Sequence, residues 1–434
     1  MTKRNAVSLF SNCGAGDFGY KKAGFNFVVM AELQKKRAEV CKLNHPRAKV
    51  IEGDLRETWT DVIKLYQEKY TEPPALLTAC PPCQGLSSAR GKRGSFKDPD
   101  AGSKDARNLL ISIACKIIKE LEPECIVIEN VPIFLSRRVR HPKDGSITTG
   151  AKIFLEAVAD DYLVFPMVTD LCDYNVPQTR KRCFITAIHK KHTGIRKFLL
   201  SCGRVPYPSV KNDNAPITVV EALQQHRLPS LKPTSAEEAT FDGFNGMHSV
   251  PTWPAERCQM VASIPRNSGA SAWENNTCTK CGYNDNRLED VYCNNCHELL
   301  PKPIVEESGR HRLIRGFRTS YKRMAPNKPA ATILTASGHI GSHTTIHPYE
   351  DRLLSLLECQ ILQTIPMDFR WGDALRKYGP SNVRAMIGEA IPPKFTLMHG
   401  SVLRRLFDKD WARGLMDIED KRITKAWQKV EGLN

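Results

Sequence analysis

An alternation constrains this chain more than any other feature. Short apolar runs recur through the first 190 or so residues, separated by stretches with helical spacing. "AVSLF" at 6–10 feeds the turn "SNCGAGDFG", "FNFVVMAEL" ends around Glu32, and "KVIEGDL" reads as a third strand ending at Asp54. Leu76 to Ala79 run into a cysteine pair, and "ECIVIENV" ends on Glu129. "YLVFPMVTD" and "RCFITAI" supply two later strands, while Lys35 to Leu43 and Leu109 to Glu120 carry helical periodicity. Strands alternating with helices predict an α/β fold with a doubly wound, mostly parallel sheet. Ligands of such sheets bind outside the carboxyl ends of the strands. The glycine turn, Glu32, Asp54, Cys83 and Glu129 are therefore expected along one edge.

The turn Asn12-Cys13-Gly14-Ala15-Gly16 is not a clean dinucleotide fingerprint, but its small residues let backbone approach a ligand closely. An acid such as Glu32, about 20 residues further on, suits a ribose diol. The alternative is a cap on the next helix. Asp54 adds an acceptor suited to an exocyclic amine, although Gly-Asp also occurs in plain turns. Together the three favour a nucleoside ligand. In "LLTACPPCQGLSS", Cys80 and Cys83 form a C-x-x-C pair that fits a metal clip, a redox pair or a nucleophile with a neighbour.

From about residue 195 to 325 the chain is richer in Pro, Ser, Asn and Gly and loses the alternation, which predicts a second, less regular domain. The regular texture returns at "KPAATILT", and "GEAIPPKFTLMHGSVLRRLF" predicts a turn followed by a helix with proline near its start. The expected division is 1–194, 195–325 with a small metal module at 278–296, and 326–434. A charged amphipathic segment at the end reads as a surface helix. Lys and Arg number 63 against 47 Asp and Glu, a net charge of +16 that suits a polyanion such as nucleic acid. No apolar run reaches the roughly 18 residues of a membrane span. The fifteen cysteines, odd in number and scattered, read as reduced thiols of an intracellular protein.

"PPCQGLS" at 81–87, "ENV" at 129–131 and "QTRKR" at 178–182 stand in the order and spacing of the cytosine-C5 DNA methyltransferases. "SLFSNCGAGDFGYKKAGF", "DARNLL" at 105–110, "RMAPNKPAATI" at 323–333 and "GEAIPP" at 388–393 resemble further motifs of that family. The resemblance covers about 1–190 and 320–400. It implies a Rossmann-like S-adenosylmethionine-dependent domain with a target-recognition domain, working on double-stranded DNA. By the same resemblance Cys83 is the nucleophile and Glu129 engages the cytosine edge, with Arg180 and Arg182 holding the base or the site. Phe10 stacks on the adenine of S-adenosylmethionine, Glu32 takes its ribose and Asp54 its amine, beside Gly14, Leu55, Pro82, Leu110 and Ile391. Gln84, Ser87, Arg90 and Gln178 fall to the substrate, as does Arg266 in "IPRNSGASAW", which is similar to a DNA-contacting loop. Cys80 then becomes a bystander. Ser87 to Lys104, long and basic, is expected to close over a flipped base, and "SRRVRHPK" at 136–143 reads equally as a phosphate contact or a solvated loop.

Cys278-x2-Cys281-x11-Cys293-x2-Cys296 has the pattern of two knuckles around one structural zinc, with Gly282 permitting the first tight turn. His297 is near enough to be a spare ligand.

Asn12 stands where the family commonly has glycine, and Glu389 replaces an asparagine of the closing motif. The cofactor pocket is still expected to work. Two rivals stay open. One is a transfer-RNA methyltransferase of the same chemistry, against which the large second domain argues; the other is an inactive DNA-binding reader. By analogy the enzyme would be a monomer of the prokaryotic cytoplasm and nucleoid, beside a cognate restriction endonuclease.

Overall fold

A computed structural model of the chain describes residues 4–82, 106–210, 215–411 and 414–432. In chain order the elements are β1 (Arg4–Leu9), α1 (Ala15–Lys22), β2 (Phe25–Glu32), α2 (Lys35–Asn44), β3 (Lys49–Glu52), α3 (Leu55–Gln67) and β4 (Leu76–Ala79). Next come α4 (Leu110–Leu121), β5 (Cys125–Asn130), the hairpin β6 (Arg138–Arg140) and β7 (Ile147–Thr149), α5 (Gly150–Val158), β8 (Tyr162–Asp170) and β9 (Lys181–His189). They are followed by α6 (Thr193–Ser201), β10 (Arg204–Pro208), α7 (Val219–Gln224), α8 (Ala255–Ala262), and the hairpin β11 (Ile304–Glu307) and β12 (Arg310–Leu313). The last elements are α9 (Leu356–Leu362), α10 (Ala374–Glu389), α11 (Pro393–Phe407), β13 (Leu415–Asp417) and α12 (Lys421–Glu431). None of the helices is long and apolar enough to cross a membrane, among the described residues.

The chain divides into two compact units. The first comprises 1–174, 181–214 and 391–434; the second comprises 175–180 and 215–390. The first unit is built on one seven-stranded sheet, ordered β3-β2-β1-β4-β5-β9-β8. β1 to β5 run parallel, as the strand-helix alternation predicts, and β9 alone is reversed against both β5 and β8. The strands are apolar because helices cover both faces. Their core includes Val7, Leu9, Leu77, Ile126 and Ile128, with Ile117 and Ile118 of α4 packed on it.

Register positions the site. Ala31 pairs with Leu9, Leu9 with Ala79, and Ala79 with Ile128, so the four lie side by side. The next residue on each strand is Glu32, Phe10, Cys80 or Glu129. All four therefore emerge at one level on the carboxyl edge. α11 begins with Pro393 at its first turn and packs on α1. Gly19 makes that approach possible, since a Cβ there would lie 2.1 Å from Oγ1 of Thr396. The amphipathic α12 packs on β8, burying Ile423, Ala426 and Val430.

The second unit is irregular and held largely by turns and buried arginines. A small core gathers Trp253, Val261, Ile264, Tyr321, Ile346 and Leu353. α10 is broken at Gly379, whose φ of 76° and following Pro380 interrupt the helix.

Candidate active site

At the end of β1 the backbone enters the left-handed region three times in five residues: Phe10 at φ 59°, Asn12 at 52° and Gly14 at 76°. Asparagine is among the few non-glycine residues that adopt this region readily. That accounts for Asn12 where the family has glycine. A Cβ on Gly14 would lie 2.7 Å from the His45 ring, so position 14 admits no side chain. His45 supports the turn by donating from Nε2 to the Gly14 carbonyl at 2.8 Å. Burial pushes its pKa down to about 4, so it does this as a neutral imidazole. No sequence motif marks His45; its only signal is its place at the end of α2 before a proline.

Glu32 is buried and ties the turn to its own strand end. Its two oxygens accept from the backbone amides of Asn12 and Gln34, each at 2.9 Å. A carboxylate has about four lone-pair sites, and these amides use two of them. The N-cap of α2 is Gln34, so Glu32 braces the strand end and is not the helix cap the sequence allowed. β3 ends at Glu52, short of the expected Asp54, because Asp54 is the N-cap of α3 and accepts from the amide of Arg56. The Arg56 guanidinium also grips the Asp54 carboxylate in a fork and holds its pKa below the usual range. Leu55 is buried behind it, and Leu110 opens α4. Ile391 packs against Gly16, where a Cβ would lie 3.3 Å from Cβ of Ile391. These residues share the sheet's carboxyl edge, and their donor set of backbone amides, an acid and apolar walls fits an adenosyl group.

One strand over, Cys80 follows β4 and its amide reaches the Leu9 carbonyl at 3.3 Å. Desolvation, with Glu129 and Asp17 beside it, pushes the Cys80 thiol well above its ordinary range. A thiol kept protonated is a poor nucleophile and a poor ligand. The following Pro81 is fastened by Asn130, whose Nδ2 donates to its carbonyl at 3.0 Å. Pro82 is half-buried. Cys83, Gln84, Ser87 and Arg90, with the expected closing loop through Lys104, lie outside the described residues.

Glu129 sits at the end of β5, and Oε1 lies 2.9 Å from Nε of Arg182 on β9. The antiparallel register explains the pair. Glu129 stands opposite Phe184, so Arg182, two residues on, is its diagonal neighbour on the same face. Arg180 does something different. It is buried in the second unit and donates to three carbonyls, of Ile333 at 3.2 Å, Gly388 at 2.8 Å and Ala390 at 3.0 Å. Gln178 is likewise fully buried, with its amide on Leu362 and Gln363 and its oxygen accepting from Ile333. Arg266 is exposed on the loop after α8 and paired with Asp351 at 2.7 Å. The basic run at 136–143 is half of the β6–β7 hairpin, with Val139 buried and Arg138 and Arg140 exposed.

Beneath the edge lies an acid with no role expected from the sequence, although it stands within "SLFSNCGAGDFGYKKAGF". Asp17 in the first turn of α1 accepts from Ser8 of β1 at 2.8 Å and Thr78 of β4 at 2.9 Å. Burial raises its pKa to about 6.

In the second unit the Sγ atoms of Cys278, Cys281, Cys293 and Cys296 all lie within 4.8 Å of one another. Each pair is carried on the same turn. Cys278 donates to Tyr283 and accepts from Gly282; Cys293 donates to Glu298 and accepts from His297. Gly282 at φ 74° and His297 at 59° hold equivalent left-handed places. His297 is thus a knuckle residue. Cys278–Cys296 and Cys281–Cys293 sulfur distances of 3.6 Å are close to the edge of a tetrahedron with ~2.3 Å zinc–sulfur bonds, about 3.8 Å. Lys302 closes the spacer by donating to the carbonyls of Arg287, Leu288 and Asp290.

Comparison with known proteins bears on the family and the fold. A family model of the C-5 cytosine-specific DNA methylases matches residues 4–399. The Type II methyltransferase M1.HgaI of Avibacterium volantium is 28% identical over 93% of this chain and 98% of its own length. M.AquIA of Picosynechococcus is 31% identical over 42% of this chain and 71% of its own. Among solved structures, one described as a DNA modification methyltransferase encoded within an E. coli prophage superposes with a TM-score of 0.59. That match covers 94% of this chain and all of the other, at 18% identity, and speaks for the fold. Family match and sheet edge together identify the chain: it belongs to the C-5 cytosine-specific DNA methylases, enzymes that work with S-adenosylmethionine on DNA.

Proposed function

We propose that Cys83 is the nucleophile of this DNA cytosine-5 methyltransferase and that Glu129 and Arg182 form its base-binding pair. The observation that carries this is the Arg182–Glu129 contact at the end of β5, beside the Pro81 carbonyl held by Asn130. C5 of cytosine is too weak a nucleophile to be methylated directly. Addition of the Cys83 thiolate at C6 makes the ring an enamine, nucleophilic at C5. Bound S-adenosylmethionine supplies the methyl group as an electrophile on a sulfonium. Glu129 stabilises the electron shift through the ring edge at N3, and Arg182 orients that carboxyl. Solvent water then takes the C5 proton, and the electrons of that C–H bond re-form the C5–C6 double bond as the C6–Sγ bond breaks and Cys83 leaves as its thiolate. The target base has to be flipped out of the duplex to reach this edge, and Gln84, Ser87 and Arg90 follow Cys83 closely enough to close over it.

The cofactor would be held by Phe10, Gly14, Glu32, Leu55, Pro82, Leu110 and Ile391. Asp54 would have to share its carboxylate with Arg56 to take the adenine amine. Arg180 and Gln178 serve as struts. The second unit reads DNA sequence, with Arg266 on phosphate, and its four cysteines hold structural zinc. The relatives' Type II names favour a restriction–modification role; a cognate endonuclease, a monomeric state and a place in the prokaryotic cytoplasm belong to the same reading by analogy alone. Incubating the protein with S-adenosylmethionine and unmethylated plasmid, then mapping 5-methylcytosine at base resolution, tests the reading. Methylation in one sequence context is expected; methylation of transfer RNA alone would overturn it.

A further inference from the structure

Residues 308–323, "SGRHRLIRGFRTSYKR", hold six Lys and Arg and no Asp or Glu. Two of the six are spent internally. Arg312 pairs with Glu307, and Arg323 is buried, donating to the carbonyls of His347, Glu350, Val261 and Ile264 and to Asp351. Arg315 and Arg318 are exposed and have no carboxylate partner among the described residues. Between them stands Phe317, 58% exposed. It is the most exposed aromatic side chain among the described residues, and it stands between two cations.

The turn beneath it is rigid. The Phe317 carbonyl accepts from both the amide and the hydroxyl of Ser320, at 2.9 and 2.6 Å. Trp273 donates its indole N–H to the Ser320 carbonyl at 3.0 Å, and Thr344 caps Thr319. Tyr321 is buried with φ at 53°, a conformation an aromatic residue keeps only when its surroundings enforce it. Amides on either side fix it: Tyr321 donates to Ile340, and Ala272 donates to Tyr321. Phe317 is thus presented without the usual entropy of a loop tip.

We infer that Phe317 is an apolar wedge that packs between base steps of duplex DNA while Arg315 and Arg318 take the phosphates on either side. The inference rests on the reading of this chain as a DNA methylase and names where its second unit grips the duplex. Cations on phosphate supply affinity that falls with salt, whereas an apolar wedge contributes through unstacking and packing, which salt hardly changes.

The two kinds of contact separate in one experiment, anisotropy titration of the full chain with duplex DNA carrying its methylation site at several salt concentrations. Phe317→Ala is expected to weaken binding about tenfold at every salt concentration, with the salt slope kept. Arg315→Ala and Arg318→Ala should each reduce the slope by about 0.9. All three positions are exposed, so melting temperature should not move. A Phe317→Ala protein that binds and bends the duplex like the parent overturns the wedge while leaving the methylase reading intact. A parent chain that binds no DNA overturns both.

Discussion

Nε of Arg182 and Oε1 of Glu129 meet at 2.9 Å because β9 runs antiparallel to β5 and places them diagonally on one face. The reversed strand in an otherwise parallel row thus delivers a cation to the Glu129 carboxyl. Arg182→Ala should lower the single-turnover methylation rate by about a hundredfold, with the affinity for S-adenosylmethionine little changed. Arg182→Lys keeps the charge but loses the planar fork and should fall between. A rate unaltered in both variants would remove Arg182 from the mechanism.

Arg180, two residues earlier, is expected to answer differently. Its guanidinium satisfies carbonyls at Ile333, Gly388 and Ala390, so Arg180→Ala leaves several buried acceptors without a donor. A loss of about 3 kcal/mol or more follows, seen as an earlier midpoint in urea. Full stability in the alanine variant would contradict this.

Asp17 gives a pH signature. Its folded pKa, about 6, lies above the ordinary 3.8, so the native state binds its proton more tightly than the unfolded state does. Ionisation therefore costs the fold nothing below about pH 3.8, and the full cost is reached above about pH 6. Asp17→Asn does not titrate. Its stability relative to the parent should rise by about 3 kcal/mol between pH 3.5 and 7. Parallel urea midpoints for the two proteins across that range would refute the assignment.

The four sulfurs should hold one zinc per chain. Elemental analysis of protein prepared without added chelator should return one equivalent. Cys293→Ser should lose it together with the order of the four-cysteine module, since the core of that module amounts to Cys278, Cys293 and Leu300 with a few neighbours. Protein that contains no metal yet melts normally would rule it out.

Much of the catalytic edge is legible in the sequence, because parallel strands buried on both faces read as apolar runs and their ends name the edge. Glu32, Cys80 and Glu129 each follow such a run. Asp54 is less legible: strand and N-cap look alike where β3 gives way to α3, and the engagement of its carboxylate by Arg56 depends on side-chain geometry. Arg180 and Arg182 share one motif, yet Arg180, just before β9, is a buried strut of the second unit while Arg182, on β9, pairs with Glu129, a division no spacing encodes. The roles of Asp17 and His45 are not legible, because Thr78 and Gly14 meet them only once the sheet and the turn have formed. The four-cysteine module is local, and its spacing says nearly everything, including the glycine; that His297 mirrors Gly282 takes the backbone to see.

The seating of α11 on α1 has a consequence for the life of the protein. The Thr396 hydroxyl donates to the Gly16 carbonyl, and Tyr20 meets His399, across separations of 380 and 379 residues. The helix under the cofactor turn therefore waits for its partner while nearly the whole chain is made. At ~5–20 residues per second that interval is roughly 20–75 s on the ribosome. A nascent chain lacking α11 has an unsupported cofactor turn. Until then the face of α1 that α11 covers is open to solvent, a late-closing seam in the first unit.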